Sequence, residues 1–369
     1  MSNEGSGAQV SITAGEAEQI RQALTGVDYD PTGSSAYIGE LRRRVYSAFP
    51  ERLVRLLEVI KSSNSAAYAY LVVDNLPIDS GVAGSPLFGE TGRQFKDGVL
   101  SENLLAALGA AIGEPYSISH EGLELVNNLT PHKHTRHEYT GLGSEVELDF
   151  HIENAAQAFM PEGDTSPLAL LLLGLRGAPE GQGKGPLTRV ADARLALARL
   201  SDEDLEALYG RHFIIRVPYR WRGATPTPRD NTDLSPVLSG PLELPRVTVA
   251  FYPDMVLPVN QRAKAALENF HREVRAVSEG IDIKPGRLVF INNRFALHSR
   301  DSFVPTFDAN ERAHRWVQRI MVTTNLWNFR SFGKRHERVF DPFLLPQAGE
   351  PVRARGAAAV AQPALSEQV

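Results

Sequence analysis

From about residue 115 onward the chain breaks into short runs of branched and aromatic residues: EVELDFHIE, LALLLLGL, RHFIIRVPY, RVTVAFY, RLVFINN and RWVQRIMVTT. Clusters of Gly, Pro and Asp separate them. Each run has the length of a strand, and spaced strands with few helices between them restrict the fold to a sandwich, a barrel or a jelly roll. The first hundred residues follow another rhythm. Thr13 and Glu16 have capping-box spacing ahead of EAEQIRQALTGV, a second helical segment runs from about Ala36 to Ile60 with a break at Pro50, and SENLLAALGAAIG makes a third helix. Between them AAYAYLVVDNLP reads as a strand ending in a turn. Two helices interrupt the β half, one at SDEDLEALYG and one over NQRAKAALENFHREVRAVSEG that ends at Gly280. The expectation is a mainly β protein with flanking helices in three parts: a helical N-terminal region over 1–114 packed on the core, a β core over 115–330, and a partly disordered C-terminal extension over 331–369. Loops are expected from Ala178 to Pro186 and from Gly223 to Pro245. No internal repeat is visible.

Composition narrows the function. Lys and Arg number 39 against 44 Asp and Glu, a net charge of -5, so there is no basic field for a nucleic-acid backbone. Hydrophobic residues make up 42% of the chain, enough to bury a large core. Cysteine is absent, which removes disulfides, thiolate metal sites and cysteine nucleophiles together, so a bound metal must sit on His, Asp or Glu. MSNEGSGAQV lacks the basic and apolar regions of a signal peptide, and the longest apolar run, Leu168 to Leu175, is too short for a bilayer. A soluble, cytoplasmic protein with no membrane or nucleic-acid partner is expected; self-association as a homo-oligomer is left open.

The informative segment is ELDFHIENA. Side chains alternate along a strand, so His151 and Glu153 point to one face while Ile152 packs on the other. An imidazole beside a carboxylate can form one edge of a metal site, although an isolated H-x-E also occurs as a surface pair. His298, in RLVFINNRFALHSR after the Pro285-Gly286 turn, offers a third ligand. Two His and one carboxylate leave coordination positions open, the pattern of non-heme Fe(II) oxygenases. Downstream, RWVQR places Arg315 and Arg319 on one strand face. An apolar strand rarely carries two guanidinium groups on a face unless anions meet them there, because an unpaired buried charge is costly.

These segments, HIE at 151–153, NNRFALHSR and RWVQR at 315–319, resemble the clavaminate synthase-like branch of the Fe(II)/2-oxoglutarate-dependent dioxygenases, which includes hydroxylases of free arginine, lysine and asparagine. The resemblance spans roughly residues 115–330. It implies a double-stranded β-helix (jelly roll) core with His151, Glu153 and His298 as Fe(II) ligands. By the same resemblance Arg315 and Thr188 would bind the cosubstrate 2-oxoglutarate, Arg319 the carboxylate of an amino-acid substrate, and O2 would react at the metal. The family's usual spacing from His298 counts to Arg312, whereas the RWVQR pattern selects Arg315; strand parity with Arg319 favours Arg315, with Arg312 as the fallback. In relatives acting on arginine, acidic residues around FYPDMV receive the cationic group, and here Asp254 stands in that segment. The implied activity is hydroxylation of a free L-amino acid, lysine or arginine foremost, with release of succinate and CO2. Glu153 disfavours halogenation, because related halogenases carry a small residue there; desaturation or ring closure stays open. A zinc hydrolase on a cupin-like barrel could use the same three ligands, but it would have no use for Arg315.

Other features carry bland readings. His132, His134 and His137 in PHKHTRHEY fit a solvated or substrate-facing loop better than a ligand set, and Glu121 or Asn127 near that loop could touch substrate, as could Glu124 or Glu138. GQGKGP lacks the Ser or Thr and the strand–loop–helix context of a phosphate loop. Trp221, Trp316 and Trp327 are expected in the core, and the LRRR run at 41–44 on a solvated helix face.

Overall fold

The structure is a computed structural model that describes residues 6–62, 67–160, 163–179, 181, 185–219, 222, 230–334 and 336–342. Strand β1 (Gly7–Ser11) is followed by helices α1 (Ala14–Thr25), α2 (Ser35–Ala48) and α3 (Glu51–Ser62), strand β2 (Tyr70–Asp74) and helix α4 (Leu100–Ile112). Then come β3 (Glu114–Ile118), β4 (Asn127–Leu129), β5 (Leu148–His151), β6 (Ala169–Arg176), β7 (Leu187–Asp192), α5 (Ala193–Leu197) and α6 (Asp202–Tyr209). The chain continues through β8 (Phe213–Ile215), β9 (Leu238–Ser239), β10 (Arg246–Val247), β11 (Val256–Pro258), α7 (Gln261–Val277) and β12 (Glu279–Asp282). It closes with β13 (Leu288–Asn292), β14 (Ala296–Arg300), β15 (Trp316–Thr323), β16 (Gly333–Lys334) and β17 (Val339–Asp341).

Local chemistry explains most boundaries. The capping box forms at α1, where Thr13 Oγ1 accepts from the Glu16 amide at 3.3 Å and the Glu16 carboxylate accepts from the Thr13 amide at 2.8 Å. Pro50 divides α2 from α3, and its carbonyl accepts the first amides of the second helix. Helix α7 stops at Val277 rather than at Gly280, because Glu279 and Gly280 pair with Val190 and Arg189 of β7. The turn expected at Pro285-Gly286 is present: Gly286 has φ +75°, and a Cβ there would lie 2.9 Å from the Leu76 carbonyl oxygen.

Two sheets dominate. A nine-stranded sheet runs β1-β2-β13-β6-β15-β3-β17-β16, with β4 paired to β15, and a four-stranded antiparallel sheet runs β12-β7-β14-β5. Consecutive strands β13 and β14 lie in different sheets, so the chain steps from one layer to the other just before His298. Strand β6 is buried on both faces, which is why it reads as an unbroken apolar run rather than an alternating one. Leu170 and Leu172 join the core shared with the small sheet, alongside Phe150, Val190, Leu297 and Val317. Leu171 and Leu173 face the opposite way, into a second core formed with Ile38, Leu41 and Leu105 of the N-terminal helices.

The N-terminal region is therefore more than a helical layer, since β1 and β2 extend the large sheet through β13. The segment after 330 adds β16 and β17 through β3. Trp316 is buried as expected, but Trp327 is 68% exposed with the Arg330 guanidinium over its ring, so it does not belong to the core. Trp221, residues 180 and 182–184 of the first expected loop, residues 223–229 of the second, and the tail from 343 lie outside the described residues. No helix among the described residues is long and apolar enough to cross a membrane.

Candidate active site

The site forms where β5 and β14 pair, with His151 directly opposite His298. The two rings lie 4.2 Å apart, centroid to centroid. Strand β5 ends at His151, so Glu153 is presented by the turn that follows instead of by strand alternation. Asn293 holds that turn: its Oδ1 accepts from the Glu153 amide at 2.8 Å, and its Nδ2 donates to the Glu153 carbonyl at 3.1 Å and the Pro167 carbonyl at 3.0 Å. Asn154 then reverses the chain in the left-handed region, φ 54°.

His151, Glu153 and His298 each offer a donor atom within 4.8 Å of the others, the one such group of three among the described residues. His151 Nδ1 donates to the Asp149 carbonyl at 2.8 Å, which leaves the Nε2 lone pair for the site. His298 Nε2 lies 3.9 Å from Glu153 Oε2, and its Nδ1 is buried without a hydrogen-bond partner. Burial pushes the His151 imidazole below its ordinary pKa; burial, then His151, then Arg319 push His298 well below it. Both rings are neutral at pH 7 and present lone pairs. Two neutral nitrogens and a carboxylate, gathered from one side, fit a divalent cation with positions left open.

An open cavity of about 890 Å³ lies over this group. Arg315 lines it, makes no hydrogen bond or ion pair with described residues, and sits 5.8 Å over the Phe303 ring; burial pushes its guanidinium down to about 10. Thr188, on the neighbouring β7, lines the same cavity. Arg312, the fallback, does not. It donates to Glu90 at 2.7 and 3.2 Å and to the Ser85 carbonyl at 2.9 Å, stacked over Phe95. Arg319 also lines the cavity, donating to Glu153 at 3.3 Å, to Glu121 at 2.8 Å and to Asn127 at 3.3 Å. Burial opposes its charge, but Glu153 and Glu121 outweigh burial and raise its pKa.

Asp254 is not brought to the cavity. It is an exposed left-handed residue, φ 65°, paired with Arg216 at 3.2 Å. His134 and His137 are exposed, and His132 Nε2 bonds Thr130 at 3.2 Å, so the H-x-H cluster holds no ligand set. Glu121 lines the cavity; Glu124 lines a neighbouring one and Glu138 is exposed.

Three features escaped sequence reasoning. Asn293 could have been found in the doubled Asn before His298. Arg300, two residues past His298, donates to the carbonyls of Gly143 and, at 2.9 Å, Val146; burial and then Arg315 push it down to about 9. The third is a set of tyrosines, Tyr139, Tyr219 and Tyr252, from three separate segments with no shared motif.

A two-sheet core with a His-Glu-His group at its mouth defines a metal-dependent oxygenase class. Residues 94–321 match the family described as taurine catabolism dioxygenase TauD, TfdA family, and the chain belongs to that family of dioxygenases. It is 27% identical over 348 residues to L-asparagine oxygenase of Streptomyces coelicolor, covering 93% of this chain and 96% of that one. It is also 23% identical over 291 residues to clavaminate synthase 2 of Streptomyces clavuligerus, covering 78% and 83%. The solved structure of asparagine oxygenase in complex with Fe(II), 2S,3S-3-hydroxyasparagine and succinate is similar at TM-score 0.75 and 25% identity, covering 90% of this chain and 99% of that chain.

Proposed function

We propose that this chain is an Fe(II)- and 2-oxoglutarate-dependent hydroxylase of a free L-amino acid, built on a double-stranded β-helix core. The observation that carries the reading is a half-buried guanidinium, Arg315, that makes no hydrogen bond with described residues and opens onto the same cavity as the His151, Glu153 and His298 group. A hydrolytic zinc site would have no role for that cation. The relatives named above point the same way.

His151, Glu153 and His298 would hold the ferrous ion. When bound, iron with 2-oxoglutarate and O2 supplies the chemistry that turns a C–H bond into C–OH as 2-oxoglutarate becomes succinate and CO2. The protein contributes geometry and electrostatics. The Asp149 carbonyl and Asn293 set the orientation of His151 and Glu153 before any ligand arrives. Arg315, with Thr188 lining the same cavity, would receive the distal carboxylate of 2-oxoglutarate in a bidentate contact. Leu170, Leu172, Ile283 and Val317 give the cavity apolar wall, where the charged contacts above would be stronger than in water. Arg319 is placed to anchor the substrate carboxylate, and Glu121, which it now engages, to receive the α-ammonium. The expectation of lysine or arginine as substrate leaned on Asp254 and on loop acids; with Asp254 at the surface, the side chain has to be argued from the cavity itself.

The test is incubation with Fe(II), ascorbate, 2-oxoglutarate and each of the twenty amino acids, scored for succinate and for a mass gain of one oxygen. Coupled product from at least one supports the reading. No coupled product from any, or activity retained with Zn(II) in place of Fe(II), refutes it.

A further inference from the structure

The charges and rings around the cavity define which side chain it can take. Its carboxylates, among the described residues, are Glu121 and Glu153, and Arg319 engages both. Three cations, Arg300, Arg315 and Arg319, line the same cavity, and Asp282 acts on Arg315 from the adjoining one. A ferrous ion and the 2-oxoglutarate dianion cancel one another, so loading the cavity adds no net charge to it. An amino-acid backbone is a zwitterion and leaves that balance unchanged. A side-chain ammonium or guanidinium would join three cations and, among the described residues lining the cavity, find no carboxylate that Arg319 does not already engage, at the cost of an unpaired buried charge.

The remaining wall is aromatic. Tyr139, Tyr219 and Tyr252 lie with ring centroids 6.1–6.3 Å apart. Tyr252 stands edge-on to His151 at 5.4 Å, so the wall begins at the metal group itself. Rings can bind cations through their faces, but one face of each of these rings already meets a neighbour. Arg222 sits 4.4 Å over Tyr219, while Tyr139 and Tyr252 lie within 9° of parallel at 6.3 Å, too close to admit an ammonium between them. What the wall offers instead is apolar surface and the hydroxyls of Tyr139 and Tyr252, which make no hydrogen bond with described residues.

Building on the hydroxylase reading, we propose that Tyr139, Tyr219 and Tyr252 are the specificity-determining residues, and that the substrate is an L-amino acid with an uncharged side chain packed on them. The discriminating experiment is anaerobic calorimetry of the Fe(II)- and 2-oxoglutarate-loaded protein with a panel of leucine, methionine, phenylalanine, glutamine, asparagine, lysine, arginine, aspartate and glutamate, paired with aerobic product mass. The tightest binder is expected to be uncharged and to bind at least about 10-fold more tightly than lysine or arginine. Tyr139→Ala and Tyr219→Ala, both at half-buried positions, should each weaken it about 10-fold, the scale of a lost aromatic contact, and the corresponding Phe variants should retain most of the affinity. Lysine, arginine or an acidic amino acid as tightest binder overturns the proposal, as do unchanged affinities in both Ala variants or no binding by any uncharged member. The two readings fail separately: a hydroxylated lysine would leave the hydroxylase standing and remove the specificity claim. An uncharged amino acid that binds through the tyrosines but gains no oxygen would do the reverse.

Discussion

Replacing Arg315 by Met should have opposite effects on cosubstrate binding and on stability. Truncating one partner of a desolvated charge pair costs about 2–5 kcal/mol. At about 1.4 kcal/mol per tenfold, 2-oxoglutarate affinity should fall by roughly 30-fold to several thousand-fold. Without ligand the sign reverses. Burial lowers the Arg315 pKa to about 10, well below its ordinary value, and a base with a lowered pKa is destabilised in its charged form. At about 1.4 kcal/mol per pKa unit that burden is about 3 kcal/mol, present in full below pH 10 and gone only above the unfolded value. The ligand-free Met variant should therefore melt at a higher temperature than the parent, by an amount reduced by any packing loss. Thermal melts with and without 2-oxoglutarate, alongside anaerobic titration, read both effects. Arg312→Ala, which breaks contacts with Glu90, the Ser85 carbonyl and Phe95 outside the cavity, should change 2-oxoglutarate affinity by less than about 3-fold. The reasoning fails if Arg312→Ala weakens binding more than Arg315→Met does, or if the ligand-free Met variant melts lower.

Cosubstrate affinity should also decline as pH rises through about 9 to 10, where Arg300 and then Arg315 lose their protons, and hold steady between pH 7 and 8; a flat profile to pH 10.5 would contradict the placement of these cations. Lys96→Ala strands Asp79 and Glu102, whose side chains are 1% and 3% exposed and lie 2.9 and 2.6 Å from the ammonium, and should cost about 3–5 kcal/mol in urea unfolding. Gly174→Ala brings a Cβ to 2.3 Å from the Lys284 carbonyl oxygen where β6 meets β15 irregularly, and should cost about 1–3 kcal/mol in the same assay, with neutrality as the contrary result.

What could be read in the chain beforehand was whatever depends on local spacing. The Thr13–Glu16 cap, the break at Pro50 and most of the strand-length apolar runs are properties of neighbouring residues that the structure realises, although RVTVAFY yields only the two-residue β10. Arg315 and Arg319 share a strand face, so one parity argument placed both beside the His151 group. Longer-range features stayed hidden. Strand alternation accounts for His151 but not for Glu153, whose position depends on Asn293 from another sheet connection. Asp254 looked like a substrate-binding acid because of its segment, yet a left-handed backbone turns it outward to Arg216. The tyrosine wall is assembled from loops near 139, 219 and 252 that only tertiary packing brings together. Likewise, the pairing of β2 with β13 joins segments more than half the chain apart.

The central claim is that three side chains grip one ferrous ion and leave room around it. Anomalous diffraction at the iron edge, from crystals grown anaerobically with Fe(II), tests it directly. The account predicts a single strong peak about 2.0–2.2 Å from a nitrogen of His151, a nitrogen of His298 and an oxygen of Glu153, with no fourth protein donor. A peak elsewhere, or an ion closed off by further protein ligands, would contradict it.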